Sequence, residues 1–171
     1  MARKLALAAG YLRFGGILAP IAVVVVLALV LGESKPQQSS SHSNAVTSAC
    51  GPYRTDGTIQ INGARIYTEV AKNSAEFTKG LGDRPCILPD QGMLFSFTKP
   101  GRYPFWMKDM KFPIDIIWIA ANHKVVAMEI NESPSTYPDR FENQAPAQYV
   151  LELKANQSKA LHIAIGTPVS F

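Results

Sequence analysis

Arg84, Trp106, Lys108, Asp109, Asp115 and Glu152 are the side chains whose types could combine to bind or transform a small molecule. Four of them fall in residues 104–119, "PFWMKDMKFPIDIIWI", where charges are embedded in an apolar run. If this stretch is strand, turn and strand, Asp115, Ile117 and Ile119 share one face and Ile114, Ile116 and Trp118 the other. A carboxylate among isoleucines is costly to bury without a partner, so Asp115 is expected to meet a cation. Lys108 lies just across the turn and Arg84 is a second choice. Either the charges form an ion pair that fixes hairpin register, or Arg84, Lys108 and Asp115 join Trp106 in a pocket for an anionic or amphipathic ligand.

Glu152, in "LELK", alternates with Leu151 and Leu153, and the expected position is a solvated outer face. Were Asp115 to converge on Glu152, or to act with Asp109, two carboxylates could do acid–base work of the glycosidase kind. The G-x-S-x-G motif of serine hydrolases is missing. Met93, Met107, Met110 and Met128 offer thioethers that suit Cu(I), but methionine is also a common core filler. His42, His123 and His162 show no ligand spacing, so neither a metal nor a cofactor is expected.

Short elements must position these groups. "TIQI-NG-ARIYTEV" is two alternating runs joined by Asn62-Gly63, the strongest short hairpin signal. "NSAEFTKG" predicts a helical turn or two, with Asn73 as N-cap, Glu76 as its reciprocal partner and Gly80 as the stop. Residues 92–97 and 102–107 read as strands joined by a turn at Lys99-Pro100-Gly101. Residues 113–120 and 124–130 read as a hairpin around Asn122-His123. The loop 131–146, carrying Tyr137, Arg140 and Phe141, is either a plain surface loop or a partner- or carbohydrate-binding one. A strand at 148–154, a helical piece near Gln157 to Leu161 and a closing strand complete the chain. Seven or eight short strands with one or two short helices predict a mainly β domain, an antiparallel sandwich or barrel.

Of 171 residues, Phe14 to Gly32 carry no charge over 19 positions, long enough to cross a bilayer as a helix. The sequence favours a membrane anchor over a cleaved signal sequence, because no small-x-small site ends the run. Arg3, Lys4 and Arg13 place residues 1–13 on the cytoplasmic side and everything after Gly32 outside. Residues 33–52, Ser- and Gln-rich, form a flexible tether to the domain at 53–171. From Tyr53 onward 13 Lys and Arg face 12 Asp and Glu, which argues against a nucleic-acid partner. Outside the cytoplasm Cys50 and Cys86 could be bridged or remain two free thiols.

"KGLGDR" at 79–84, "GMLFSF" at 92–97, "FWMKDMKFPIDIIWI" at 105–119, "VVAM" at 125–128, "YVLEL" at 149–153 and the closing "IGTPVSF" occur in one order. Together they resemble the domain of unknown function 192 family over about residues 65–171. The resemblance implies a compact, mainly β fold, often exported or membrane-tethered, with no established activity. Family members typically read Asn-Thr at Asp109-Met110, Met at Gly82 and Pro-Ala-Gly at Lys154-Ala155-Asn156. The combined expectation is a non-enzymatic, membrane-anchored binding module for a small polar ligand, an envelope component or a neighbouring protein. A carboxylate-dependent hydrolase and a purely structural envelope protein are the alternatives.

Overall fold

Strands β1 (Gly57–Ile61) and β2 (Ala64–Val70) form because apolar side chains alternate and Asn62-Gly63 supplies the turn. Both turn residues have positive φ, 48° and 80°, as a two-residue hairpin of right-handed strand twist requires. The computed structural model describes residues 49–171. The anchor and most of the tether predicted from the sequence lie outside these residues. Among the described residues, no helix is long and apolar enough to cross a membrane.

After β2 the chain enters helix α1 (Ser74–Lys79). Asn73 caps it by accepting from the Glu76 amide at 3.0 Å, and the Glu76 carboxylate reaches back to the Lys72 amide at 2.8 Å. Gly80 stops it with φ 51° and donates to the Glu76 carbonyl. The loop to residue 90 then delivers β3 (Gln91–Gly101) parallel to β2, because a crossover of this length can return to the same end of the sheet. Strands β4 (Ile114–Ile119), β5 (Val125–Glu132), β6 (Ala147–Lys154) and β7 (Val169–Ser170) follow, with helix α2 (Gln157–Ala160) after β6.

The seven strands form one sheet in the order β5-β4-β6-β3-β2-β1-β7, curled into a half-barrel. All pairings except β2–β3 are antiparallel. The expected antiparallel sandwich or barrel takes the form of this single curled sheet, which is mixed through its one parallel pair and buried on both faces. One face carries Phe95, Met107, Ile114, Ile116, Trp118 and Val150. The other carries Ile59, Ile66, Ile117, Ile119, Leu151 and Leu153. Every residue of β4 is buried, which is why "IDIIWI" reads as a continuous apolar run. Met93, Met107 and Met110 pack in the first core, and Met128 against the second.

The strand expected at 102–107 does not form. Pro104 has no N–H to give a ladder, and only a single bridge, Phe105 to Phe141, pairs there. Other groups satisfy that backbone. Buried Asn143 accepts from the Tyr103 amide and donates to the Gly101 carbonyl, and the Trp118 indole donates to the Tyr103 carbonyl at 2.9 Å. Cys50 and Cys86 are bridged, with Cα atoms 4.8 Å apart, which ties the residues just before Tyr53 to the loop after α1.

Candidate functional site

Glu69 on β2, Met93 on β3, Glu152 on β6 and Ile116 on β4 lie in cross-strand register, one row on the face covered by α1. At about 4.8 Å per strand, the backbones of Glu69 and Glu152 stand roughly 10 Å apart. Both carboxyl groups are buried, but their surroundings differ. Glu69 is paired with Arg84, Nη2 to Oε2 at 2.6 Å, and also accepts from the Arg54 amide at 2.8 Å. Arg84 is thus engaged by a residue the sequence did not single out.

Glu152 is 4% exposed, against the expectation of a solvated position. Alternation with Leu151 and Leu153 was read correctly, but the face opposite those leucines is also covered, by the end of α1. Gly80 sits so close that a Cβ there would stand 3.2 Å from Oε2 of Glu152. The Leu81 backbone reaches the carboxyl group, while Oε2 has no hydrogen-bond partner. Burial pushes this carboxyl up to about 8, with the Leu81 hydrogen bond and the Arg84 charge opposing it. At neutral pH it is a neutral acid, able to donate one hydrogen bond and accept others.

Glu152 contributes to the lining of a cavity of about 280 Å³ whose walls include Phe77, Phe95, Phe97, Tyr103, Phe105 and Trp106. The rings brace one another. Phe77 meets Phe95 and Phe97 edge-on at 5.8 and 5.3 Å, Phe95 meets Phe105 at 4.9 Å, and Tyr103 stacks on Phe97. Trp106 is held from behind by Tyr137, edge-on at 6.3 Å, and by the Arg140 guanidinium 5.0 Å from its ring centre. The loop at 131–146 therefore buttresses a wall of the cavity. Lys79 and Lys108 also contribute to the lining. Lys79 lies 3.5 Å from Asp83, whereas Lys108 has no carboxylate within 4 Å among the described residues.

Three of the six sequence candidates, Trp106, Lys108 and Glu152, thus meet at one cavity, and the aromatic wall joins them. Arg84 lies beside it, bound to Glu69. Asp109 is exposed at φ 59°, a left-handed position that Asn and Asp adopt readily, and lines an adjoining depression with Ser74 and Asp83 that shares Lys79 and Lys108 with the cavity.

Asp115 is elsewhere. It is fully buried on the opposite face, and no Lys or Arg pairs with it among the described residues. Its Oδ1 accepts from the Asn131 and Asn156 amides at 2.9 and 2.8 Å, and its Oδ2 from the Ser158 amide at 2.7 Å. The expected cation is corrected: three backbone N–H groups satisfy the carboxylate. Asn131 and Asn156 turn those amides inward with φ 63° and 64°. Asp115 and Glu152 do not share a cleft, so the proposed two-carboxylate pair is not assembled. Glu152 is the only carboxyl group lining the aromatic cavity among the described residues.

The wall was the part that sequence reasoning missed. Phe77 falls in the expected helical turn and Phe95 and Phe97 in an expected strand, and nothing local shows that their inner edges leave a space.

Comparison with known proteins agrees with this architecture. The family model of domain of unknown function 192, described as an uncharacterized ACR, matches residues 57–171. A solved structure from Sinorhizobium meliloti 1021, a proposed transcription regulator, is 29% identical with a TM-score of 0.59. That match covers 62% of this chain and 81% of the other. A protein of unknown function from Novosphingobium aromaticivorans DSM 12444 is 26% identical with a TM-score of 0.64, covering 73% of this chain and 97% of the other. No curated protein matches. The chain, with its matched segment running from β1 to the C-terminus, belongs to the domain of unknown function 192 family.

Proposed function

We propose that the domain is a non-enzymatic binding module that takes a small amphipathic ligand into the aromatic cavity. The observation that carries this is the buried, unpartnered Oε2 of Glu152 in the lining of a space otherwise walled by rings. A buried polar atom without a partner costs free energy, and an occupant that hydrogen-bonds to it recovers that cost. A ring or short apolar body gains contact with the phenylalanines and Trp106. A two-carboxylate hydrolase would need a second acid in the cavity, and Glu152 stands alone there among the described residues.

The same reading places the module outside the cytoplasm, carried by the apolar segment at 14–32 and its tether. The bridge between Cys50 and Cys86 supports an oxidising compartment. The near balance of charge from Tyr53 onward speaks against carrying over the transcription-regulator description of the Sinorhizobium relative. The test is a thermal-shift screen of small aromatic and alicyclic compounds on the full-length, oxidised chain. Compounds that raise the melting temperature should lose that effect in Trp106→Ala and keep it in Asp109→Ala. Hits indifferent to Trp106→Ala would place binding elsewhere and overturn the reading. A C-terminal reporter fusion that is active only in the cytoplasm would overturn the location.

A further inference from the structure

The lining of the cavity is polarised, and that polarity selects a ligand class. Rings occupy the walls, the acid Glu152 stands at one place in the lining, and the half-buried Lys108 at another. Lys79 shares its charge with Asp83, so Lys108 is the cation left to meet a ligand among the described residues. The volume, about 280 Å³, lies just below the roughly 300–1,000 Å³ usual for small-molecule sites, and suits a single ring with one or two substituents.

We infer that the ligand is a monocyclic acid bearing an oxygen substituent: its anionic group meets Lys108, its ring lies along Phe97 and Trp106, and its hydroxyl or carbonyl oxygen accepts a hydrogen bond from Glu152. This rests on the binding-module reading above and narrows it.

An aromatic box with an acid in it also suggests an ammonium ligand, because ring faces attract cations. Two features oppose that here. Lys79 and Lys108, both in the lining, repel a cation, and Glu152 is neutral until a proton leaves it. The neutral state reflects every charge facing Glu152. Arg84, although paired with Glu69 two strands away, favours ionisation, and Lys79 and Lys108 stand in the same lining. Glu129, next to Ile116 at the far end of the row, adds a negative charge. Burial outweighs the cations.

Three probes separate the classes: 4-acetylbenzoate, whose carbonyl oxygen does not titrate, the neutral 4-methylphenol and the cation benzyltrimethylammonium, each titrated calorimetrically into the full-length, oxidised chain at about pH 6, below the Glu152 midpoint near 8. The acid should bind tightest. Lys108→Ala should weaken it by roughly ten- to a hundredfold, the worth of one charged hydrogen bond, and leave 4-methylphenol nearly unchanged. Raising the pH to about 9.5, past the midpoint near 8, should lower wild-type affinity for the acid. Glu152→Gln, which donates at every pH, should bind equally well at both. Tighter binding of the cation or the neutral phenol, or no effect of Lys108→Ala, overturns the acid class and leaves the binding module standing. Binding of none of the three, with circular dichroism showing a folded chain, overturns both.

Discussion

Replacing Asp115 by alanine strands three backbone amides, and the structure sets the cost. Ser158 is fully buried, and its N–H would lose a 2.7 Å partner with no water to take over. A buried donor left unpaired costs about 1–3 kcal/mol, or about 2 kcal/mol for this one. The amides of Asn131 and Asn156, at 2.9 and 2.8 Å, are only partly buried and can find water, at about 1 kcal/mol each. Asp115→Ala should therefore lose about 4 kcal/mol. Asp115→Asn keeps an oxygen for two amides but turns an NH₂ toward Ser158, and should lose about 2 kcal/mol. Urea unfolding of the oxidised chain at neutral pH is the assay. With a slope of about 2 kcal/mol per molar, the alanine midpoint falls by roughly 2 M at unchanged slope. Lys108→Ala is the control: with no carboxylate partner, it should change stability by less than about 0.5 kcal/mol. An alanine loss below about 1 kcal/mol, or a Lys108→Ala loss equal to it, would refute the amide account of Asp115.

Glu152→Gln should flatten the pH dependence of stability. A carboxyl whose folded value is raised from 4.5 to about 8 contributes fully below 4.5 and loses its contribution as pH climbs to about 8. At about 1.4 kcal/mol per pH unit the loss across that window is on the order of 5 kcal/mol, so urea midpoints at both ends should diverge in wild type and converge in the variant. Arg84→Ala leaves Glu69, itself 2% exposed, without its ion-pair partner and should cost about 3 kcal/mol by the same unfolding assay. Reducing the Cys50–Cys86 bridge opens a loop of sequence separation 36 and should cost about 2–4 kcal/mol, read as a lower melting temperature in dithiothreitol. No change on verified reduction would mean that Tyr53 and Arg54 hold this segment unaided.

Local chemistry made most elements legible. Asn62-Gly63, the Asn73 cap with its Gly80 stop and the reversal at His123 each fold as their residue types demand, because turns and caps are satisfied within a few positions. The parallel β2–β3 pair was not legible. Its signal was the 20-residue connection containing a helix, too long for a hairpin, and pattern reading alone does not say which edge such a crossover joins. Asp115 misled for a related reason. Its burial was readable from the isoleucines, but its partners are amides whose direction depends on Asn131 and Asn156 in left-handed conformations. Glu152 showed the right alternation and the wrong exposure, since a period of two does not reveal that a distant helix covers the outer face. Gly82 is a further case. A Cβ there would stand 2.8 Å from the Lys79 carbonyl oxygen, a close approach that no local pattern announces.

Recognition in the ring-walled cavity depends on Glu152 being a neutral acid. Carbon-13 labelling of glutamate side chains, with the Glu152 carboxyl resonance assigned through Glu152→Gln, follows its titration directly in the folded chain. A midpoint near 8 is the predicted result. A midpoint near the ordinary glutamate value of about 4.3 would contradict it, and with it the hydrogen-bond donor on which the proposed recognition stands.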